Sequence, residues 1–314
     1  ASAALYFSEI PFDTPLGAVK VGLVDGQFLI TPTVAQLEKS PLNMVVVGTE
    51  KGIIMIEAGA VEIEDEKIVE AVSLAQDPIR RIIQAQKDLF QKLGLKKREF
   101  TVKTVDTAKA EQVERRIAAD LLRAIQVRKK KESEVESERI LKSLLEEIPP
   151  ENEEEINATK QIFFNLEKKL VRDLILNQGK RADGRAFDEI RPISIEVGLL
   201  PRTHGSALFT RGETQSLATV TLGTFEDVQR LDGLGEEAEK RFMLHYNFPP
   251  FSVGEVSFLR GPGRREIGHG ALAEKSILPS IPAAEVFPYT IRIVSDILES
   301  NGSSSMATVC GGVL

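Results

Sequence analysis

Residues 295–307 read SDILESNGSSSMA, and the consecutive serines Ser303, Ser304 and Ser305 carry the clearest chemistry in the chain. A strand runs into Asn301-Gly302, a sharp turn, and small residues suited to a buried helix follow. The first N–H groups of a helix have no partner within it, so they point outward and attract anions. Serine hydroxyls at that position donate to the same oxygens, which makes a phosphate cradle without a Walker lysine. Plain N-capping competes with this reading, since serine is a favoured cap. One serine suffices for a cap, however, and three in a row exceed the need.

A second stretch, GPGRREIGHGALAEK over residues 261–275, supplies the complementary groups. Arg264 and Arg265 are forked donors matched to phosphate oxygens. His269 follows Arg265 by four positions, so a helix puts both on one face. Arginine and histidine beside a serine cradle form an oxyanion site. The competing reading is a solvated helix start with His269 packed on a sheet. No G-x-G-x-x-G or Walker lysine fits here, so a nucleotide-binding loop fails. RTHGSALFTRGET places Arg202, His204 and Arg211 around a strand, where either RNA contact or turn anchoring explains them. No H-x-x-x-H or H-E-x-x-H spacing exists, which argues against a histidine metal site. The one cysteine, Cys310, reads as a small buried residue rather than a nucleophile. No D-x-D cluster lies on a strand, so no magnesium site can be located within these residues.

Three compositional zones have to position these groups. In the first, to about residue 85, LGAVKVGLVDGQFLITPT alternates around Asp25-Gly26, a hairpin signal, and two β-branched runs follow as strands with one or both faces covered. DEKIVEAVSLAQDPIRRIIQAQKDLFQKLG then has helical periodicity, with an expected break near Pro78 and a stop at Gly94. The second zone, about 95–176, is almost all helix former: a solvated helical pair, a break at Pro149-Pro150, and a further helix. RKKKESE carries interleaved acids, which argues against an RNA-facing patch. The third zone, from about 177, returns to strands, with a hairpin turn at RGET and a helix over RREIGHGALAEKSI that stops at Pro279. FPYTIRIVSDILES reads as a strand and HYNFPPFSVGE as a loop. Strand–helix alternation here implies α/β or α+β layering.

With 314 residues, 42% of them hydrophobic, the chain can bury real cores, and its length fits two domains plus a helical insert. No run of about 18 apolar residues exists, so no membrane partner is expected. ASAALYFSEIPFDTP does not read as a signal peptide, and a single cysteine fits a reducing compartment. The net charge of −7 argues against a general basic face for nucleic acid. Charge is uneven, though: residues 146–155 read EEIPPENEEE and residues 260–265 read RGPGRR. RNA binding is therefore expected only as a local effect of such clusters.

The same motifs carry a family resemblance. GKRADGR, LPRTHGSALFTRGETQ, HYNFPP, RREIGHGALAEK and ESNGSSSMATVCGG resemble the second RNase PH-type core of the polynucleotide phosphorylase (polyribonucleotide nucleotidyltransferase) family. IPFDTPLGAVKVG and LNMVVVGTEKGIIMIEAGA resemble the end of the first core. The resemblance implies an α+β fold: RNase PH-like cores with ribosomal protein S5 domain 2-like βαβ layering, joined by an all-helical linker domain. It divides the chain into 1–93, the C-terminal part of the first core, 94–176, the helical linker, and 177–314, an incomplete second core. It implies processive 3′-to-5′ phosphorolysis of single-stranded RNA to nucleoside diphosphates, reversible as polymerisation. By resemblance Ser303, Ser304 and Ser305 bind inorganic phosphate, while Arg264, Arg265 and His269 assist phosphate and RNA. Arg202 and Arg211 are the expected RNA contacts. Mg2+ is the implied cofactor, with its aspartates expected downstream of Leu314. A cytoplasmic homotrimer is implied, with RNA-degradosome proteins as further partners it allows. Folding is expected only within a longer chain. The alternatives are a hydrolytic RNase on this fold and a non-catalytic RNA-binding ring subunit of an exosome-like assembly.

Overall fold

The structure, a computed structural model, describes residues 1–101, 106–232 and 238–314. It forms two compact units, residues 1–102 and 103–314. In the first unit, α1 (Ser2–Phe7) precedes β1 (Gly17–Val24), β2 (Gln27–Ile30), α2 (Val34–Glu38), β3 (Leu42–Gly48), β4 (Ile53–Ala60) and α3 (Asp65–Lys92). The strands make an antiparallel sheet in the order β2-β1-β3-β4. Asp25 and Gly26, at φ 49° and 74°, turn the β1–β2 hairpin as its sequence requires.

α3 lays Ala71, Ala75, Ile79 and Ile83 on this sheet. The expected break at Pro78 does not occur, and the helix runs straight through it. A helix-interior proline costs about 3 kcal/mol. Burying Ile79 and Ile83 returns about 1.5–3 kcal/mol each, which offsets it. Leu74, whose carbonyl loses its partner, lies on the exposed side, open to solvent. The stop is where the sequence placed it: Gly94 is left-handed at φ 61° and donates its N–H to Gln91. β4 departs from the expected covered strand, being exposed along nearly all its length in the described structure.

The second unit opens with helices α4 (Thr107–Ile125), α5 (Lys130–Leu145) and α6 (Glu153–Leu176). Apolar residues at three- and four-residue spacing converge on one core that includes Ile117, Leu121, Ile140, Phe163 and Leu166. Their other faces carry charge, which explains the acidic and lysine-rich composition of this stretch. The remainder supplies β5 (Ile193–Val197), β6 (Gly205–Arg211), β7 (Gln215–Gly223), β8 (Gln229–Leu231), β9 (Ala238–Lys240), β10 (Phe242–Asn247), α7 (Arg264–Ile277), β11 (Thr290–Glu299) and α8 (Ser304–Val313).

The main sheet has the order β10-β11-β7-β6-β5, and only β10 and β11 are parallel. β10–α7–β11 is thus a βαβ crossover, whose strands end at the same edge. The loop expected over HYNFPP is corrected in its first half, because Phe242–Asn247 is a strand. Phe242, Leu244 and Tyr246 alternate into the core, and only at Pro249-Pro250 does the chain leave the sheet.

Candidate active site

The turn between β11 and α8 sits at the edge where both parallel strands end, the usual ligand position in such layouts. Gly302 and Ser303 are both left-handed, at φ 83° and 51°. A serine there is strained and needs surroundings that hold it. Those surroundings are explicit. Ser300 N–H donates to the Ser252 carbonyl at 2.8 Å. Asn301 N–H donates to Thr214 Oγ1 at 3.0 Å. The Asn301 carbonyl accepts from Arg191 Nη1 at 2.8 Å. The Gly302 carbonyl accepts from Arg211 Nη2 at 3.0 Å and from Thr214 Oγ1 at 3.3 Å.

Ser303 is the N-cap of α8, yet its side chain makes no capping bond. The capping alternative therefore loses its main support, since the hydroxyl is exposed and the leading N–H groups of the helix have no side-chain acceptor. α8 buries Ser304, Ala307, Thr308 and Gly311, which are the i, i+3, i+4 and i+7 positions of one face. Ser304 consequently faces inward, where its hydroxyl pairs with the Tyr246 hydroxyl at 2.7 Å. Ser303 and Ser305 flank that face and stay accessible. Below them a buried hydroxyl chain runs from Thr308 to Ser295 to Ser216, each step 2.8 Å. Cys310 lies off the packed face and is exposed, against the expectation of burial.

Tyr246 joins the turn to the arginine helix. It is 3% exposed, and its ring meets His269 edge-on with centroids 5.1 Å apart. On its other side it stacks on Phe248 at 6.2 Å and 14°, and the Arg265 guanidinium lies 5.4 Å over Phe248. Such a cation–π contact contributes about 0.5–1 kcal/mol at an exposed site. Arg265 and His269, one helical turn apart, thus rest on consecutive aromatics of one motif. Replacing Tyr246 by Phe leaves the Ser304 hydroxyl buried without its partner. A loss of about 1–3 kcal/mol is expected, read as a lowered thermal midpoint of the second unit.

His269 Nδ1 is buried and, among the described residues, has no hydrogen-bond partner. Burial, and then the nearby Arg265 charge, lowers its pKa below the ordinary histidine value. The ring is therefore neutral at pH 7. As the pH falls below about 6.5 the unfolded chain takes up this proton before the folded one does. His269 thus permits full stability above that pH and costs stability as the pH drops toward its folded value. A His269→Gln variant should lose less thermal stability between pH 7 and pH 5 than the wild type, a comparison made by melting both across that range.

Arg264 and Arg265 open α7, exposed, behind the N-cap Gly263. A cleft of about 1110 Å3 opens beside them, lined by Phe248, Arg260, Glu266, Asp296 and Leu298 among others. The structure brings together the serine turn, His269 and Arg265, each resting on Tyr246 or Phe248. Arg211 joins them by holding the turn's carbonyls, so turn anchoring, one of its two readings, is realised. Arg202 does not join. It lies exposed before β6, at the opposite end of that strand from Arg211. Sequence reasoning missed Tyr246, Arg191, Glu213 and Thr214. Thr214 and Glu213 stood in plain view in the RGET turn, but nothing local said that this turn touches the serines. No group of three or more His, Cys, Asp or Glu suited to a metal exists among the described residues.

Residues 14–77 match the 3′ exoribonuclease family, domain 2, and residues 189–314 match domain 1 of the same family. Between them, residues 109–186 match the polyribonucleotide nucleotidyltransferase RNA binding domain. The matches make this a chain of RNase PH-type parts flanking a helical segment, with a second domain ahead of a first. The polyribonucleotide nucleotidyltransferase of Geobacter sulfurreducens is 52% identical over 314 residues, covering all of this chain and 45% of that protein. Those of Heliobacterium modesticaldum and Bacillus subtilis are 51% and 50% identical, again over the whole chain, which covers 44% and 45% of them. The chain belongs to the polyribonucleotide nucleotidyltransferase family, as its motifs indicated, and it spans somewhat less than half the length of these relatives.

Proposed function

We propose that the enzyme containing this chain degrades single-stranded RNA from its 3′ end with inorganic phosphate. It releases nucleoside diphosphates and runs in reverse as a polymerase. One observation carries the reading: an uncapped helix start with two accessible serines, held in a strained turn from behind and linked through Tyr246 to His269. Inorganic phosphate sits at this mouth, bound by the Ser303 and Ser305 hydroxyls and by the backbone N–H groups at the start of α8. Ser304 takes part through its backbone, since its hydroxyl serves Tyr246. Arg264 and Arg265 neutralise phosphate and RNA backbone charge, and neutral His269 hydrogen-bonds the phosphate.

In the reaction a phosphate oxygen attacks the terminal phosphodiester phosphorus. The P–O3′ bond breaks, a diphosphate leaves, and the phosphate proton ends on the new 3′-hydroxyl. Fixed donors placed where charge develops supply the largest share of such catalysis. Arg202 and Arg211 contact the RNA, Arg211 while also clamping the turn. Mg2+ belongs to the same proposal as the cofactor that the family implies, held by aspartates other than the residues described here. The division into 1–93, 94–176 and 177–314, a cytoplasmic homotrimer and RNA-degradosome partners belong to the same proposal. No described helix is long and apolar enough to cross a membrane.

The test uses full-length enzyme and a 3′-labelled oligonucleotide, with and without phosphate. Diphosphates appearing only with phosphate support the proposal. Monophosphates in phosphate-free buffer indicate the hydrolytic alternative, and binding without turnover indicates an inert ring subunit. An Arg264→Ala enzyme should bind RNA more weakly and reduce the slope of log affinity against log salt by about one, as expected for a lost phosphate contact.

A further inference from the structure

We infer that Glu213 and Lys130 are positioning residues through which the helical segment sets the geometry of the phosphate-binding turn. The inference rests on the phosphate reading of that turn and adds a role for residues outside it.

α5 begins at Lys130, and Lys129, its N-cap, provides no side-chain cap. The leading N–H groups of that helix therefore need an acceptor from elsewhere. Glu213, in the β6–β7 turn, supplies it: Lys130 N–H donates to Glu213 Oε2 at 3.2 Å. The same oxygen accepts from Asn301 Nδ2 at 3.0 Å. One carboxylate oxygen thus bridges the start of a helix and the turn that carries the serines, and the helix dipole favours the negative charge there. Lys130 reaches the turn a second way, donating from Nζ to the Ser300 carbonyl at 3.1 Å. Its ammonium also lies 3.5 Å from Glu134 on its own helix, which fixes the side chain in this direction.

These contacts matter because Gly302 and Ser303 are left-handed, and a strained serine keeps that conformation only while enough contacts specify it. Arg191, Arg211 and Thr214 hold the turn from within the sheet. Glu213, in the β6–β7 turn, and Lys130, at the start of α5, tie the turn to the helical segment, acting on Asn301 and Ser300, immediately before the strained pair. Removing them does not touch the serines or the arginines of α7. It lets the turn relax, so the loss should fall on phosphate and spare RNA.

The experiment is steady-state phosphorolysis by the full-length enzyme at varied phosphate, with RNA affinity measured separately. It compares wild type, Glu213→Ala, Glu213→Gln, Lys130→Met, the double variant Glu213→Ala/Lys130→Met and Ser305→Ala. Glu213→Ala should raise the phosphate KM about tenfold with kcat within about twofold, the size expected for losing hydrogen bonds to a charged group. RNA affinity should be unchanged. Glu213→Gln keeps an acceptor oxygen and should restore the KM to within about threefold of wild type. Lys130→Met should raise it about threefold, and the double variant should not exceed Glu213→Ala alone, because both act on one turn.

A phosphate KM that stays within about twofold in Glu213→Ala, while Ser305→Ala raises it, overturns the inference and leaves the phosphate site standing. If Ser305→Ala also leaves it unmoved, the phosphate reading itself fails and takes this inference with it. Equal losses in phosphate KM, RNA affinity and thermal midpoint mean a merely structural role and also overturn it. Should Glu213→Ala not fold, Lys130→Met decides: a raised phosphate KM with normal RNA binding supports the inference, and an unchanged one overturns it.

Discussion

Replacing Ser303 and Ser305 together by alanine in the full-length enzyme should raise the phosphate KM about hundredfold, with RNA affinity unchanged. Each hydroxyl lost from a charged ligand costs about 1.5–3 kcal/mol, roughly tenfold or more apiece. The N–H groups at the start of α8 remain, so phosphate still binds and turnover survives at high phosphate. Ser304→Ala separates this effect from simple damage. Its hydroxyl is bonded to Tyr246 within a site that is 3% exposed. Its loss leaves the tyrosine hydroxyl unpaired and should lower the thermal midpoint more than either flanking substitution. Its effect on phosphate should be smaller. If the flanking variants phosphorolyse normally at low phosphate while Ser304→Ala does not, the roles assigned along this turn are reversed.

The second large effect should come from Gly311, which touches no ligand. A Cβ at this position would stand 3.3 Å from Ala218 Cβ and 3.5 Å from Ser216 Oγ. Alanine is therefore near the limit of what fits, and the γ-methyl groups of valine have no room. Overpacking of this kind costs about 1–3 kcal/mol, and helix α8 must lift from β7 and β6 to accommodate it. Because Ser303 and Ser305 ride on the first turn of that helix, Gly311→Val should reduce phosphorolysis more than tenfold. A 1 Å misplacement of catalytic groups alone can cost about a hundredfold. The expected pattern is a lowered thermal midpoint together with lost turnover. Normal activity in a stably folded Gly311→Val enzyme would show that helix α8 does not set the serine positions.

Much of this was legible in the residues. The β1–β2 hairpin follows from Asp25-Gly26, which tolerate left-handed backbone. The end of α3 follows from Gly94, and the start of α8 from Asn301-Gly302 before small residues. Each is a local constraint, carried by neighbours in sequence. The misreadings came where tertiary packing overrode a local preference. Pro78 did not break α3, because the burial of Ile79 and Ile83 on the sheet offset its cost. HYN in HYNFPP became strand, because alternating Phe242, Leu244 and Tyr246 found a core to enter. Cys310 proved exposed because α8 turned another face to the sheet.

By itself the sequence determined the kinds of most elements, their order, the family and the place of the serine turn, for which anion binding is the proposal made above. Three serines in a row said that oxygens would gather there, but not which way each would point. The tertiary structure decided that Ser304 faces Tyr246, 58 positions away, and that Lys130 reaches Ser300 across 170 positions. Periodicity and turn chemistry report only on residues a few positions apart. Which side chain clamps which carbonyl is settled when separate elements pack, and no spacing along the chain encodes it directly.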